Sequence, residues 1–158
     1  MSNKLFINAI NRVDQATPPI WFMRQAGRYH KHYQKLKEKY TFEQLCKNPE
    51  LASEVACGPI KEFDFDVSIL FSDILFPLEG LGLPLEFKPG PIFGDFINKD
   101  NYKKYTNIDK AIDHMQFQKE AIKITRDQLP QNKSFIGFVG GLWTLLRFAV
   151  DKKNKLFN

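Results

Sequence analysis

The sequence predicts an α/β fold built from parallel βα units, on the basis of three observations. Three short apolar segments, residues 17–23, 67–71 and 135–139, each end in polar or turn-forming residues, as buried strands do. Segments with apolar residues at helical spacing lie between them. The order of strand, helix, strand, helix, strand, helix is typical of parallel sheets, because two parallel strands need a long crossover that is usually a helix.

The helices of the amino-terminal part are marked by residues that can cap free backbone N–H groups. Three such residues precede predicted helices: Asn3, Thr41 and Asn48. Gln44 completes the sequence of a capping box. Pro49 stands at the first helical position, where proline is favoured, and Pro59 is expected to kink the same helix because it lacks an N–H. A charged segment, residues 33–40, also follows helical spacing.

The region after the second strand is rich in Pro and Gly and predicts a hairpin. Its strands are expected at residues 85–88 and 92–93, on either side of a Pro-Gly-Pro turn. Asn107 then caps the longest predicted helix, residues 108–128. Five apolar residues of this segment are expected to face the core: Ile108, Ile112, Met115, Ile122 and Leu129. The third strand breaks at a Gly-Gly pair, and a last helix is expected at residues 143–150.

Composition and charge argue against several classes of function. The 23 Lys and Arg residues, against 18 Asp and Glu, form no basic block, so neither nucleic acid nor a membrane is expected as a partner. No apolar run approaches the length of a membrane span, and a cytoplasmic location is expected. Cys46 and Cys57 lack metal-ligand spacing and are expected to be buried, whereas His30, His32 and His114 are expected to be exposed to solvent.

Charged residues follow two of the predicted strands. Arg24 and Arg28 come after the first strand, with Gly27 between them, and Asp73 follows the second. Because parallel strands end at one edge of the sheet, these residues are expected on the same rim. Two guanidinium groups could bind neighbouring carboxylates, and Asp73 could accept substrate N–H groups or stabilise a developing cation. The alternatives are an arginine paired with a local acid, and Asp73 as a helix cap.

The chain resembles the amino-terminal part of uroporphyrinogen decarboxylases in four blocks: FMRQAGRY, LCKNPELA, ILFSDIL and GFVGGLWTL. The resemblance implies a (β/α)8 TIM barrel that forms a cytoplasmic homodimer and uses neither a metal nor any other cofactor. It also implies a carboxy-lyase of haem biosynthesis. That enzyme removes four acetate carboxyl groups from uroporphyrinogen III, a tetrapyrrole, and releases coproporphyrinogen III.

The resemblance further assigns roles to residues of this chain. Arg24 and Arg28 are implied to bind substrate carboxylates, and Arg24 is also a candidate proton donor. Three residues are implied to contribute their backbone to the same substrate loop: Gln25, Ala26 and Gly27. Asp73 is implied to gather the pyrrole N–H groups and to stabilise positive charge on the ring being decarboxylated, which would supply an electron sink without a cofactor.

The chain departs from the family pattern in extent and at a few positions. A complete barrel needs about 250 residues, so residues 1–158 are expected to be an amino-terminal fragment of a single barrel domain, truncated to roughly its first three βα units. Phe148 stands where the family commonly has tyrosine, and Leu142 where proline is usual. The arginine loop is followed by HKHY, where LPEY is typical.

The missing part of the barrel leads to expectations about behaviour. The isolated chain is expected to aggregate or to unfold without cooperativity, because open sheet edges and apolar faces lack their neighbours. Decarboxylase activity is expected only when the remainder is supplied in trans. The alternative is a non-catalytic remnant, or one half of a split protein that binds a complementary carboxyl-terminal chain. Related cobalamin-dependent methyltransferases are disfavoured by the blocks RQAGRY and FSDIL.

Overall fold

The computed structural model describes residues 2–27 and 29–150, which fall into two compact units. The first unit comprises Met1–Ser72 and Phe117–Phe138, and the second comprises Asp73–Gln116 and Val139–Asn158. In chain order the elements are α1 (Lys4–Ile10), α2 (Lys31–Lys37), α3 (Phe42–Lys47), α4 (Pro49–Phe63), β1 (Val67–Ile69), α5 (Phe76–Gly80), β2 (Leu85–Phe87), β3 (Pro91–Phe93), a 3-10 helix (Tyr102–Tyr105), α6 (Ile108–His114), α7 (Gln116–Gln128), β4 (Ser134–Ile136) and α8 (Leu142–Val150).

The predicted helix starts are confirmed by their capping bonds. The Asn3 side chain accepts a hydrogen bond from the Phe6 N–H, and the Asn48 side chain accepts one from the Leu51 N–H. Thr41 and Gln44 form both bonds of the predicted capping box. Local side-chain chemistry therefore sets where these helices begin. Helix α4 continues through Pro59 and ends at a residue in the left-handed conformation, Asp64.

A parallel pair of strands forms the centre of the first unit. Val67 of β1 lies opposite Ser134 of β4, and Ile69 lies opposite Ile136. Helix α4 packs against β1, and a cluster of Ala52, Leu70 and Ala121 joins α4 to α7. Parallel pairing of the second and third predicted strands confirms the βα organisation. The predicted hairpin is also confirmed, in the second unit, by the antiparallel pair β2 and β3.

The first predicted strand, residues 17–23, is wrong as a strand. The Ile20 carbonyl accepts a bond from the Asp66 N–H, but the Ile20 N–H donates to the Asp66 carboxylate instead of a backbone carbonyl. Two residues later, the Phe22 N–H donates to the Gln25 side chain. The segment is therefore extended beside β1 without the repeated backbone bonds that define a strand.

The long predicted helix over residues 108–128 is divided at Met115, whose backbone has left the helical region. The prediction of which of its residues face the core is largely wrong. Ile108, Ile112 and Ile122 are exposed, whereas Leu129 is buried. Helix α7 presents Ala121 to the strands, because a small side chain allows closer approach than the isoleucines would.

The third strand and the last helix are confirmed within one to three residues, as β4 and α8. Cys46 and Cys57 are buried, as expected, and neither forms a disulfide. Within the described residues, no helix is both long enough and apolar enough to cross a membrane.

Candidate substrate-binding site

A tight turn at residues 22–27 presents Arg24, and we call it the arginine turn. It is closed by a hydrogen bond from the Gln25 N–H to the Phe22 carbonyl at 3.0 Å. Arg24 itself adopts a positive φ of 61°, a conformation that costs energy in a residue with a Cβ. A Cβ at Gly27 would lie 2.3 Å from the Arg24 carbonyl oxygen, so only glycine fits this turn.

The Arg24 side chain is exposed. Within residues 2–27 and 29–150, its guanidinium forms no ion pair with an acidic side chain. The alternative of a structural pair between Arg24 and a local acid therefore finds no support among these residues. Arg28, the second predicted cation, lies outside the described residues.

The side chain of Gln25 attaches the arginine turn to β1. Its side chain is fully buried, and its Nε2 donates to the Val67 carbonyl of β1 at 2.8 Å. Its Oε1 accepts from the Phe22 N–H at 3.1 Å. The family resemblance implied a role only for the backbone of Gln25. The structure shows that its side chain bonds the turn to β1.

Ala26 provides a second anchor for the arginine turn. It is buried in a cluster with Tyr33, Leu45 and Val55, which lie on α2, α3 and α4. The turn thus has one apolar and one polar attachment to the first unit. Because both attachments are buried, the position of Arg24 is fixed by the core and not by the loop alone.

His30 contradicts the expectation that the histidines are exposed. Its side chain is 1% exposed, and its Nε2 lies 2.8 Å from Glu62 Oε2. His32 and His114 are partly exposed, and each pairs with a carboxylate: Glu54 and Glu79, respectively. Single-sequence reasoning missed these pairs because each acid lies at least 22 residues away along the chain.

Asp73 belongs to the second unit, where it is half-buried. Its Oδ1 accepts a hydrogen bond from the Leu75 N–H at 2.8 Å, just before α5 begins. Burial raises the pKa of its carboxyl group, and the Leu75 hydrogen bond partly opposes that rise. Among the described residues, Oδ2 has no hydrogen-bond partner. Asp73 therefore supports the turn before α5 with one carboxylate oxygen, while the other is unpaired within these residues.

The second unit also holds the position where the family commonly has tyrosine. Phe148 is half-buried on α8, and its ring centroid lies 6.5 Å from that of Phe93 on β3. The phenyl ring packs against the hairpin but has no atom that can hydrogen-bond a carboxylate. Before this helix, a Cβ at Gly140 would lie 2.6 Å from the Leu145 side chain, so glycine at this position allows Leu145 to pack closely. A Cβ at Gly141, by contrast, would make only an ordinary contact with Thr144.

The candidate residues thus fall into two groups, one in each unit. The first unit brings four of them into a single turn: Arg24, Gln25, Ala26 and Gly27. Asp73 stands in the second. Over the ranges that the structure describes, no three His, Cys, Asp or Glu side chains are grouped so that they could hold a metal ion.

Comparison with known proteins decides the family. The family model described as uroporphyrinogen decarboxylase (URO-D) matches residues 1–157. The chain belongs to the uroporphyrinogen decarboxylase family. A uroporphyrinogen decarboxylase from Neorickettsia sennetsu is 44% identical over 133 residues, which are 83% of this chain and 40% of the relative. One from Citrifermentans bemidjiense is 39% identical over 151 residues, which are 96% of this chain and 44% of the relative.

The chain therefore spans less than half the length of these relatives. A solved structure, a methyltransferase from Methanosarcina mazei, has a similar fold with a TM-score of 0.72 and 16% sequence identity. The similarity covers 96% of this chain and 46% of the methyltransferase. The family match and this similarity confirm the expected fold class, an α/β fold of the TIM-barrel type present in part.

Proposed function

We propose that residues 1–158 supply the amino-terminal, carboxylate-binding part of a uroporphyrinogen decarboxylase. The complete enzyme would act in the cytoplasm as a homodimer and convert uroporphyrinogen III to coproporphyrinogen III in porphyrin biosynthesis. The observation that carries this proposal is Arg24, an exposed cation without an ion pair among the described residues. It stands on a turn that a fully buried glutamine ties to the sheet.

The arrangement of Arg24 suits a substrate with several carboxylate arms. A guanidinium is positively charged at neutral pH and offers parallel N–H donors that match the two oxygens of a carboxylate. Because the backbone of the arginine turn is already ordered, binding costs little further loop entropy. Arg28 would add a second cation four residues further along the same loop.

Asp73 would supply the electrostatic part of the reaction. When the bond between an acetate methylene and its carboxyl carbon breaks, CO2 leaves and the electron pair moves into a protonated pyrrole ring. A carboxylate beside that ring stabilises the positive charge that makes it an electron sink. The methylene carbon then takes a proton, for which Arg24 is the candidate donor, and the ring releases the proton that it had gained before the bond broke. No cofactor is needed in this scheme.

Arg24 can be tested in a chimera of residues 1–150 and the carboxyl-terminal remainder of the Neorickettsia sennetsu relative. Lysine in place of Arg24 keeps the charge but loses the paired N–H donors. The Arg24→Lys variant is expected to raise the KM for uroporphyrinogen about tenfold, as measured by chromatography of the porphyrins after oxidation.

The matched control is Arg12→Lys. Arg12 is also an exposed arginine with a positive φ, 56° against 61° for Arg24, so both substitutions meet the same backbone conformation. Arg12→Lys is expected to leave KM unchanged. An equal rise in KM for both variants, or none for Arg24→Lys, would remove Arg24 from carboxylate binding. A chimera that folds but makes no coproporphyrinogen would contradict the proposed function itself.

A second candidate is the split-protein half, favoured by the exposed apolar face of α8. Leu142 is 87% exposed, Trp143 65% and Leu146 50%. Charged or polar side chains would be expected there if water were the permanent neighbour. We propose that the carboxyl-terminal remainder of the family fold covers this face.

This second candidate is tested by mixing the chain with the separately produced remainder of the Neorickettsia sennetsu relative. A one-to-one complex is expected in size-exclusion chromatography, and Leu146→Asp should prevent it. Ile92→Asp, at a residue of similar exposure in the same unit, is the control. Failure of the unsubstituted chain to bind, or equal loss in both variants, would contradict the split-half proposal.

A further inference from the structure

We propose that His30 is a positioning residue for the arginine turn, held in place by Glu62 on α4. The inference rests on the proposed function in one respect only, namely that the arginine turn binds carboxylates. His30 does not touch the ligand in this account. His30 holds the carboxyl-terminal end of the turn through Gly27, while the Gln25 side chain holds the turn against β1.

His30 joins the arginine turn to helix α2 through its backbone. Its N–H donates to the Gly27 carbonyl at 3.0 Å, and its own carbonyl accepts from the Gln34 N–H at 3.0 Å. His30 is thus the residue at which the turn ends and α2 begins. A shift of His30 would therefore act on Gly27, the last residue of the turn, through this hydrogen bond.

The ring of His30 is enclosed by helix α4. A Cβ at Gly58 would lie 2.8 Å from the His30 Cε1, so the helix has room for the ring only because position 58 is glycine. The Phe63 ring centroid lies 5.8 Å from that of His30. Phe63 stacks on Phe65 at 5.3 Å, and Phe65 meets Phe22 at 5.3 Å. The two sides of the arginine turn therefore share one aromatic support.

The polar contact of His30 explains why this position is a histidine. A carboxylate only accepts hydrogen bonds, so Nε2 carries the hydrogen that points at Glu62. The other ring nitrogen, Nδ1, is buried without a hydrogen-bond partner in the described part of the chain. An unpaired buried nitrogen is costly, and a leucine would fill the space without that cost. The bond to Glu62 is thus what the histidine contributes.

A neighbouring pair on the same two elements provides the contrast. His32 Nε2 lies 2.9 Å from Glu54 Oε1, nearly the same distance as in the pair of His30 and Glu62. Glu54 and Glu62 lie two turns apart on α4 and have similar exposure, 44% and 46%. The His32 ring touches that of His30 at a centroid distance of 6.0 Å, but within the described residues only His30 of the two histidines donates a hydrogen bond to the arginine turn.

The test compares Glu62→Ala with Glu54→Ala in the chimera of residues 1–150 and the carboxyl-terminal remainder of the Neorickettsia sennetsu relative. Hydrogen–deuterium exchange is measured at the Gln25 and His30 amides, which donate to Phe22 and Gly27 within the turn. Glu62→Ala is expected to speed this exchange about fivefold, whereas Glu54→Ala should leave it unchanged. Glu62→Gln should restore slow exchange, because its amide oxygen still accepts from Nε2.

A second measurement separates this inference from the proposed function. Uroporphyrin III, the oxidised and stable form of the proposed substrate, is titrated by fluorescence. Glu62→Ala is expected to weaken its binding about fivefold, with Glu62→Gln and Glu54→Ala close to the unsubstituted chimera. Equal exchange in the two alanine variants, or no rescue by Glu62→Gln, would overturn the role of His30. Absence of uroporphyrin binding by the unsubstituted chimera, with the exchange difference present, would contradict the proposed function and leave the positioning role standing.

Discussion

Replacing Asp73 by asparagine in the chimera is expected to lower the turnover of uroporphyrinogen about a thousandfold. Asparagine keeps the oxygen that accepts from the Leu75 N–H, so the turn before α5 is retained. It removes the negative charge that would stabilise a protonated pyrrole ring in the transition state. The effect should therefore appear in kcat, measured from coproporphyrinogen formed at saturating substrate.

Asp100→Asn is the control for this substitution. Asp100 is an exposed aspartate of the same unit, and its side chain forms no hydrogen bond or ion pair within the described residues. Its substitution should leave kcat within twofold of the unsubstituted chimera. A kcat for Asp73→Asn close to that of Asp100→Asn would exclude Asp73 from the reaction.

Because the pKa of Asp73 is raised, Asp73→Asn should also change how the free energy of unfolding depends on pH. The ordinary aspartate pKa is 3.8, and burial raises it in the folded chain. Below 3.8 the carboxyl is protonated in both states and its pKa has no effect on the free energy of unfolding. As pH rises through the raised folded pKa, the buried charge destabilises the fold. Asp73→Asn should thus be more stable than the unsubstituted chimera at neutral pH, with the difference vanishing below pH 3.8 in urea unfolding.

The parts of the fold that depend on neighbouring residues were predictable from the sequence. Asn3, Thr41 and Asn48 bond to backbone groups three residues away, so their helix starts follow from local chemistry. The segment 17–23 has the composition of a strand, but strand formation depends on a partner that lies far along the chain. In this case the partner is the side chain of Asp66, which ends the pairing after one backbone bond.

The outward isoleucines of α6 and α7 show a second limit. Ile108, Ile112 and Ile122 have helical spacing, yet the packed face of α7 carries Ala121 instead. Periodicity finds an apolar stripe but cannot tell which side of a helix meets the sheet when small residues compete for that side. Close approach of helix and strand is a property of the tertiary structure.

The charged residues of the candidate site can be identified in the sequence, whereas its buried polar residues cannot. Arg24 and Asp73 could be identified because a charge directly after an apolar segment needs a partner or a ligand. A glutamine or histidine in a loop gives no such signal, since most are solvated. Gln25 finds its partner Val67 42 residues away, and His30 finds Glu62 32 residues away. For His30 a signal was present, because HKHY departs from the LPEY typical of the family.

The buried glutamine is expected to produce the largest loss of stability in the first unit. Gln25→Ala leaves the buried Val67 carbonyl and the partly buried Phe22 N–H without their partners. The two losses cost about 2 kcal/mol together, most of it from the buried carbonyl. The free energy of unfolding of the chimera in urea should fall by that amount. Release of the arginine turn should also raise the KM for uroporphyrinogen, because Arg24 loses its fixed position.

Gln44→Ala is a close control for Gln25→Ala, because both side chains accept a hydrogen bond from the backbone N–H three residues earlier. Gln44 is exposed, so water replaces its bond and the loss should be about 0.5 kcal/mol. Gln25→Glu tests the hydrogen bond to the Val67 carbonyl apart from side-chain shape. Glutamate has nearly the same shape and keeps the accepting oxygen, but it places a second acceptor beside the Val67 carbonyl. It should be at least as destabilising as alanine. Equal losses for Gln25→Ala and Gln44→Ala would mean that the turn holds Arg24 without the buried bridge to β1, and its rigidity would then have to come from Ala26 and Gly27 alone.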